Sequence, residues 1–191
     1  MAKDNRVERK YLAWNTRERT RTRVAAGMLV DFACFGLLAP AGLIVLGVFL
    51  DHSLGMPGFA RYPSTYIAGI NLAVLGLAFW GWAAATLLRA GRGSSLPLVP
   101  TRRLVNQGPF RLCRNPINLG AIIYYAGIVV ILGSYAALCL FMFFSTLLLA
   151  YLKLVEESEL GTRFGEAYES YRKSTPFIVP RLFTRKATPR N

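Results

Sequence analysis

Histidine is nearly missing from this chain of 191 residues and acid is scarce: one His and ten Asp or Glu stand against 23 Lys or Arg. The sole histidine, His52, falls between the first two hydrophobic runs, away from the other polar segments. A histidine general base or a histidine-held metal is thereby excluded from those segments. Cysteine is equally sparse. Cys34 and Cys139 lie inside hydrophobic runs and Cys113 in a basic loop. The set reads as two packing thiols and one free cytosolic thiol, with neither a disulfide framework nor metal-ligand spacing. No Gly-x-x-x-x-Gly-Lys-Ser/Thr phosphate loop and no Gly-x-Ser-x-Gly elbow occurs. Gly91-Arg92-Gly93 is a lone Gly-x-Gly, read as a flexible exit from a span. The N-terminus is not read as a cleavable signal, because 23 polar, Arg-rich residues precede the first apolar run.

What the chain has is hydrophobicity in long runs: 53% of residues are hydrophobic, which points to a small integral membrane protein. The first span is read over 24–50 with a kink at Pro40, and the second over 66–88. Gly69, Gly76 and Gly81 in the second span allow close helix approach. The run from 119 to 154 is too long for one crossing. Gly133-Ser134 divides it into a hairpin, 119–132 and 135–154, whose short first arm places the turn below the far surface. The expected fold is therefore all-α and membrane-integral, with about four transmembrane helices and cytoplasmic amphipathic helices. Its parts are a basic interfacial arm over 1–23, one membrane domain over 24–181, and a basic tail over 182–191.

Charge sets the orientation. The N-terminal segment carries eight Lys or Arg, the 89–117 loop six and the segment from Lys153 onward eight, whereas the 51–65 loop has only Arg61. The positive-inside bias puts both termini and the 89–117 loop in the cytoplasm, at a bacterial inner membrane or its equivalent. The net charge of +13 is assigned to anionic headgroups and not to nucleic acid. In the arm, Val7, Tyr11 and Trp14 share a helical face, which suits either an interfacial helix or a disordered basic tail.

Two polar segments return to that cytoplasmic side, 104–120 and 153–181. The tail over 155–173 is read as one helix with a stripe of Leu160, Phe164, Tyr168 and Tyr171, supported by Glu159–Arg163 and Glu169–Lys173 pairs. Glu156 and Glu157 have two readings: a solvated helix face, or one carboxylate turned inward to a ligand. Asp31, about 12 Å along the first span from Arg23 at helical rise, is either a functional intramembrane acid or a structural hydrogen-bonding group.

Gly108-Pro109-Phe110-Arg111-x-x-Arg114-Asn115-Pro116-x-x-x-Gly120, a hairpin, and then Glu156-Glu157-x-x-Leu160-x-x-x-Phe164-Gly165-x-x-Tyr168-x-x-Tyr171-x-x-x-x-Pro176 make up about residues 100–181. This stretch resembles the isoprenylcysteine carboxyl methyltransferase and phospholipid methyltransferase superfamily of integral membrane enzymes. The resemblance implies S-adenosyl-L-methionine as methyl donor. It implies donor contacts from Gly108, Asn115, Pro116, Ile117, Asn118 and Gly120, and from Glu156 with Glu157 beside it. It also implies acceptor positioning by Lys153 and Arg114, and no metal. Asn115 stands where the carboxyl methyltransferases have histidine, and Asn118 where the usual residue is tyrosine. The implied acceptor is lipophilic, a lipid amine or an isoprenylcysteine-type carboxylate, entering between the second span and the hairpin. The alternative is a non-catalytic membrane protein of the same fold that binds lipid or a protein partner.

Overall fold

The computed structural model describes residues 26–27, 29–59, 62–91 and 104–180, and the regular elements among them are all helical. The arm with Val7, Tyr11 and Trp14, the Arg92-Gly93 exit and the 182–191 tail lie outside the described residues. Among the described residues, three helices are long and apolar enough to cross a membrane. These are α1 (Leu29–Leu54), α2 (Pro63–Ala90) and the helix that begins at Tyr135. A shorter apolar helix, α3 (Pro116–Leu132), precedes the last of them. The final span comprises α4 (Tyr135–Tyr151) and a wide π turn, Leu152–Glu156, and is followed by α5 (Glu157–Phe164) and α6 (Glu166–Ser174). Only 6% of the apolar window of the last span is buried inside the protein. Apolar side chains such as Leu75, Phe143 and Leu154 point outward, as they do when lipid is the solvent.

The hairpin turn falls where the sequence breaks. Gly133 closes α3 with φ 59°, a left-handed conformation open to glycine, and the Ser134 hydroxyl accepts the Ala137 N–H at 2.9 Å. The short arm is accommodated because the connection after α1 comes to meet the turn. The Phe59 N–H donates to the Gly133 carbonyl at 2.8 Å, and Asp51 Oδ1 accepts the Ala136 N–H at 3.0 Å. Asp51 thus supplies a carboxylate to the N-terminus of α4, where the helix dipole favours it.

Small residues bring α2 and α3 into backbone contact. A Cβ on Gly120 would stand 2.7 Å from the Trp80 nitrogen, and one on Gly127 2.5 Å from the Ala73 nitrogen. Gly76 is closed off in the same way by the Tyr124 backbone. Gly81 departs from its expected role: nothing lies within 4 Å of a Cβ there. This close seam joins the second span to the first arm of the hairpin.

Pro40 acts on α1 through the turn before it. Residues Phe32–Leu38 form a π turn, and the regular helix resumes at Ala39 with proline in its first turn. Proline has no N–H, so the carbonyls four and five residues earlier, Gly36 and Phe35, lose their helical donor. In lipid such groups must be satisfied from within the protein. The Tyr124 hydroxyl donates to the Gly36 carbonyl at 3.2 Å, and the Tyr125 hydroxyl donates to that of Phe35. The wide turn is thereby fastened to α3.

The tail departs from a single helix. Gly165, at φ 53° and ψ −131°, adopts a conformation reserved largely for glycine and separates α5 from α6. The Glu159–Arg163 pair forms at 3.1 Å, but Glu169 faces Arg172 at 3.6 Å and not Lys173.

Candidate active site

Irregular backbone from Leu104 to Asn115 must satisfy its own polar groups, and here it does so by folding onto the tail. Val105 and Phe110 pack with Ala83 and Leu87 in a buried cluster that pins the segment to the end of α2. Gly108, at φ 57°, begins a short 3-10 turn with Thr86 against it, and Pro109 follows. Three bonds then tie the segment to the tail. The Tyr171 hydroxyl donates to the Phe110 carbonyl at 2.6 Å, the Arg114 N–H to Pro176 at 2.9 Å, and Asn115 Nδ2 to Phe177 at 3.1 Å.

A buried carboxylate completes the join. Glu157 lies 2.8 Å from Arg114, accepts a hydrogen bond from Lys153 at 2.9 Å and stands 3.9 Å from Arg172. Arg114 and Glu157 have side chains only 7% and 6% exposed, so each charge depends on the other. Lys153, half-exposed, also lies over the Phe177 ring at 5.1 Å, and Arg114 over the same ring at 5.8 Å.

Where the two segments meet, a cavity of about 320 Å³ opens, within the size range of small-molecule sites. Arg114, Asn115, Pro116, Ile117, Asn118 and Glu156 form part of its wall. Gly108, Gly120, Glu157 and Lys153 stand behind that wall. Gly108 abuts Thr86, Gly120 abuts Trp80, and Glu157 with Lys153 belongs to the salt-bridge cluster. Asp31 is buried and faces the cavity from α1, with Phe35 one turn on. Trp80, Tyr125, Tyr168 and Tyr171 supply aromatic surface. Each of the three π turns contributes to the lining, through Phe35, Leu87 and Glu156. Wide turns of this kind often occur at functional sites.

Glu159 and Arg163 were legible only as a supportive surface pair, yet both line the cavity. The signal available was phase: Glu156, Glu159, Leu160 and Arg163 follow i, i+3, i+4, i+7 and so share one helix face. His52 is remote. It lies 21 residues from Asp31 along α1, about 30 Å at helical rise, at the end that carries the hairpin turn.

Burial acts strongly on the ionisable groups of this end. Burial raises the Tyr168 hydroxyl to about 12, and Glu157 beside it adds to the effect. The three cysteines reverse their expected roles. Cys113 is fully buried with its thiol raised to about 11 by desolvation, whereas Cys34 and Cys139 are exposed on their spans. Cys113 is a packing residue because its loop turns inward against the tail.

A family model described as phospholipid methyltransferase matches residues 64–167. The match runs from the start of α2 to the break after α5 and covers both sides of the cavity, 104 of the 191 residues. No curated protein and no solved structure matches the chain. A match over more than half the chain, on helices built to cross a membrane, places this protein in the phospholipid methyltransferase family, whose members are methyltransferases.

Proposed function

We propose that the chain moves a methyl group from S-adenosyl-L-methionine to a lipophilic acceptor, a lipid amine or an isoprenylcysteine-type carboxylate, at the cytoplasmic face of a membrane. The observation that carries this reading is the convergence of the Arg114-Asn115-Pro116 turn and Glu156 on one cavity beside buried Glu157. The donor set suits a ligand that is at once a nucleoside, a zwitterion and a cation. Carboxylates are at hand for hydroxyls or an ammonium, amides for a purine edge or a carboxylate, and aromatic faces for positive charge.

When bound, the donor supplies an electrophilic methyl on a sulfonium. The residues of this chain then do the rest by placement, which supplies much of the rate in an in-line displacement. Asn115 has one side-chain N–H committed to Phe177, which fixes its amide and leaves its oxygen and second N–H for the cavity. Asn118 and Glu156 face it across the same space. Trp80, Tyr125 and Tyr168 exclude water and present π faces to positive charge. Arg114 is held by Glu157, which Lys153 pairs in turn behind the wall, so those two act on the site through it. Gly108 and Gly120 serve by letting the segment and α3 close on α2.

A carboxylate acceptor is already nucleophilic and needs only a cation near it, for which Arg114 lies in the wall. An amine must first lose a proton, a base role open to Glu156 or Asp31 on the cavity wall. The excess of basic residues on the segments flanking this end supports the cytoplasmic placement.

Calorimetry on the full chain in nanodiscs tests the reading. S-adenosylmethionine should bind the wild type, and Glu156→Ala and Asn115→Ala should each weaken it by at least tenfold. A wild type that binds no donor would favour the non-catalytic, lipid- or partner-binding alternative. Transfer of a labelled methyl group into a total lipid extract then identifies the acceptor by the species that carries label.

A further inference from the structure

Two arginines face the cavity, and they are not alike. Arg114 has a buried carboxylate, Glu157, at 2.8 Å. Arg163 pairs with Glu159, at 3.1 Å from its Nη2 and 41% exposed, and has the charge of Glu156 within electrostatic reach but no ion pair to it. Water screens such a pair, so Glu159 offsets little of the guanidinium charge. The Arg163 side chain is itself only 17% exposed, it leans on the Phe164 ring at 5.5 Å, and its Nε–H, like that of Arg114, is shielded from water without an acceptor. A guanidinium has five N–H donors, stays charged at any working pH and accepts nothing. An arginine of this kind in a cavity wall, with an Nε–H that no described residue accepts, calls for an acceptor from the ligand.

We propose that Arg163 is an anion seat, taking an oxyanion of the bound ligand in its guanidinium fork. The fork matches carboxylate and phosphate geometry, which a lysine does not. Arg114, the other arginine among the described lining residues, is taken up by buried Glu157, so Arg163 fixes which end of the ligand points toward α5. Two sources carry such a group: the carboxylate of the methyl donor and the phosphate of a lipid acceptor. The first source rests on the function proposed above; the second does not.

The test uses the full chain in nanodiscs, with wild type, Arg163→Gln and Arg163→Lys titrated by calorimetry. The probes are S-adenosylhomocysteine, 5′-methylthioadenosine (which lacks the amino-acid end) and dihexanoyl phosphatidic acid. Loss of a charge-assisted bidentate contact should weaken the partner by roughly ten- to hundredfold. Weaker S-adenosylhomocysteine with unchanged methylthioadenosine in Arg163→Gln identifies the donor carboxylate as the occupant. Weaker phosphatidic acid alone identifies the lipid phosphate. In either case Arg163→Lys should recover part of the loss, as a retained charge without the fork. Unchanged affinity for all three probes in Arg163→Gln overturns the anion seat while leaving the methyltransferase reading intact. A wild type that binds phosphatidic acid but neither nucleoside removes the donor and keeps the seat; one that binds none of the three removes both.

Discussion

Glu156 and Glu157 are neighbours in sequence with opposite circumstances. Successive residues on a helix point about 100° apart, so one faces the cavity while the other enters a cluster of cations. Removing the buried one has a measurable consequence. Glu157→Ala leaves Arg114 buried without its counter-charge and should cost about 3–5 kcal/mol, read as a lower melting temperature and faster proteolysis of the tail.

Between helices, two devices decide the packing. The α2–α3 seam depends on glycine where backbones touch, so Gly76→Ala should destabilise by about 1–3 kcal/mol through overpacking. Gly81→Ala, with open space around it, should be neutral or slightly stabilising in the same unfolding assay. The second device is the coupling of Pro40 to two tyrosines. Tyr124→Phe or Tyr125→Phe strands a carbonyl in the membrane and should cost about 1–3 kcal/mol. In a Pro40→Ala background the helix regains an N–H, and the same change should cost markedly less. A double-mutant cycle with additive effects would show that the hydroxyls do not answer the proline. The sequence carried half of this device: Pro40 marked a disturbance in α1. It could not show that tyrosines 84 and 85 positions further on would answer it, because that contact depends on how α1 lies against α3.

Taken as a whole, the molecule has two unlike ends. One end joins the loop after α1 to the hairpin turn through Asp51 and Phe59, and the other closes the basic segment onto the tail around the cavity. If the charge asymmetry sets the orientation, these ends lie on opposite faces of the membrane. In a cysteine-free background, Ser53→Cys should react with an impermeant maleimide only from outside intact cells. Ser170→Cys should react only after the membrane is opened, since both side chains are exposed at their respective ends. Labelling of both from one side would reverse the topology.

Residue-by-residue transfer energies are nearly additive, which is why the sequence alone determined that this chain spans a membrane, where the apolar runs break at Gly133-Ser134, and which segments stay polar. The family resemblance carried by the motif spacing implied that Arg114, Asn115 and the paired acids serve one site. Which acid faces the cavity, that Cys113 is buried, that Arg163 lines the wall and that Gly81 touches nothing were decided only by the tertiary structure. Those outcomes depend on the rotation of each helix about its axis. That rotation is reset by the π turns at Phe32–Leu38 and Leu152–Glu156 and by contacts between residues far apart in the chain, and no local pattern encodes it.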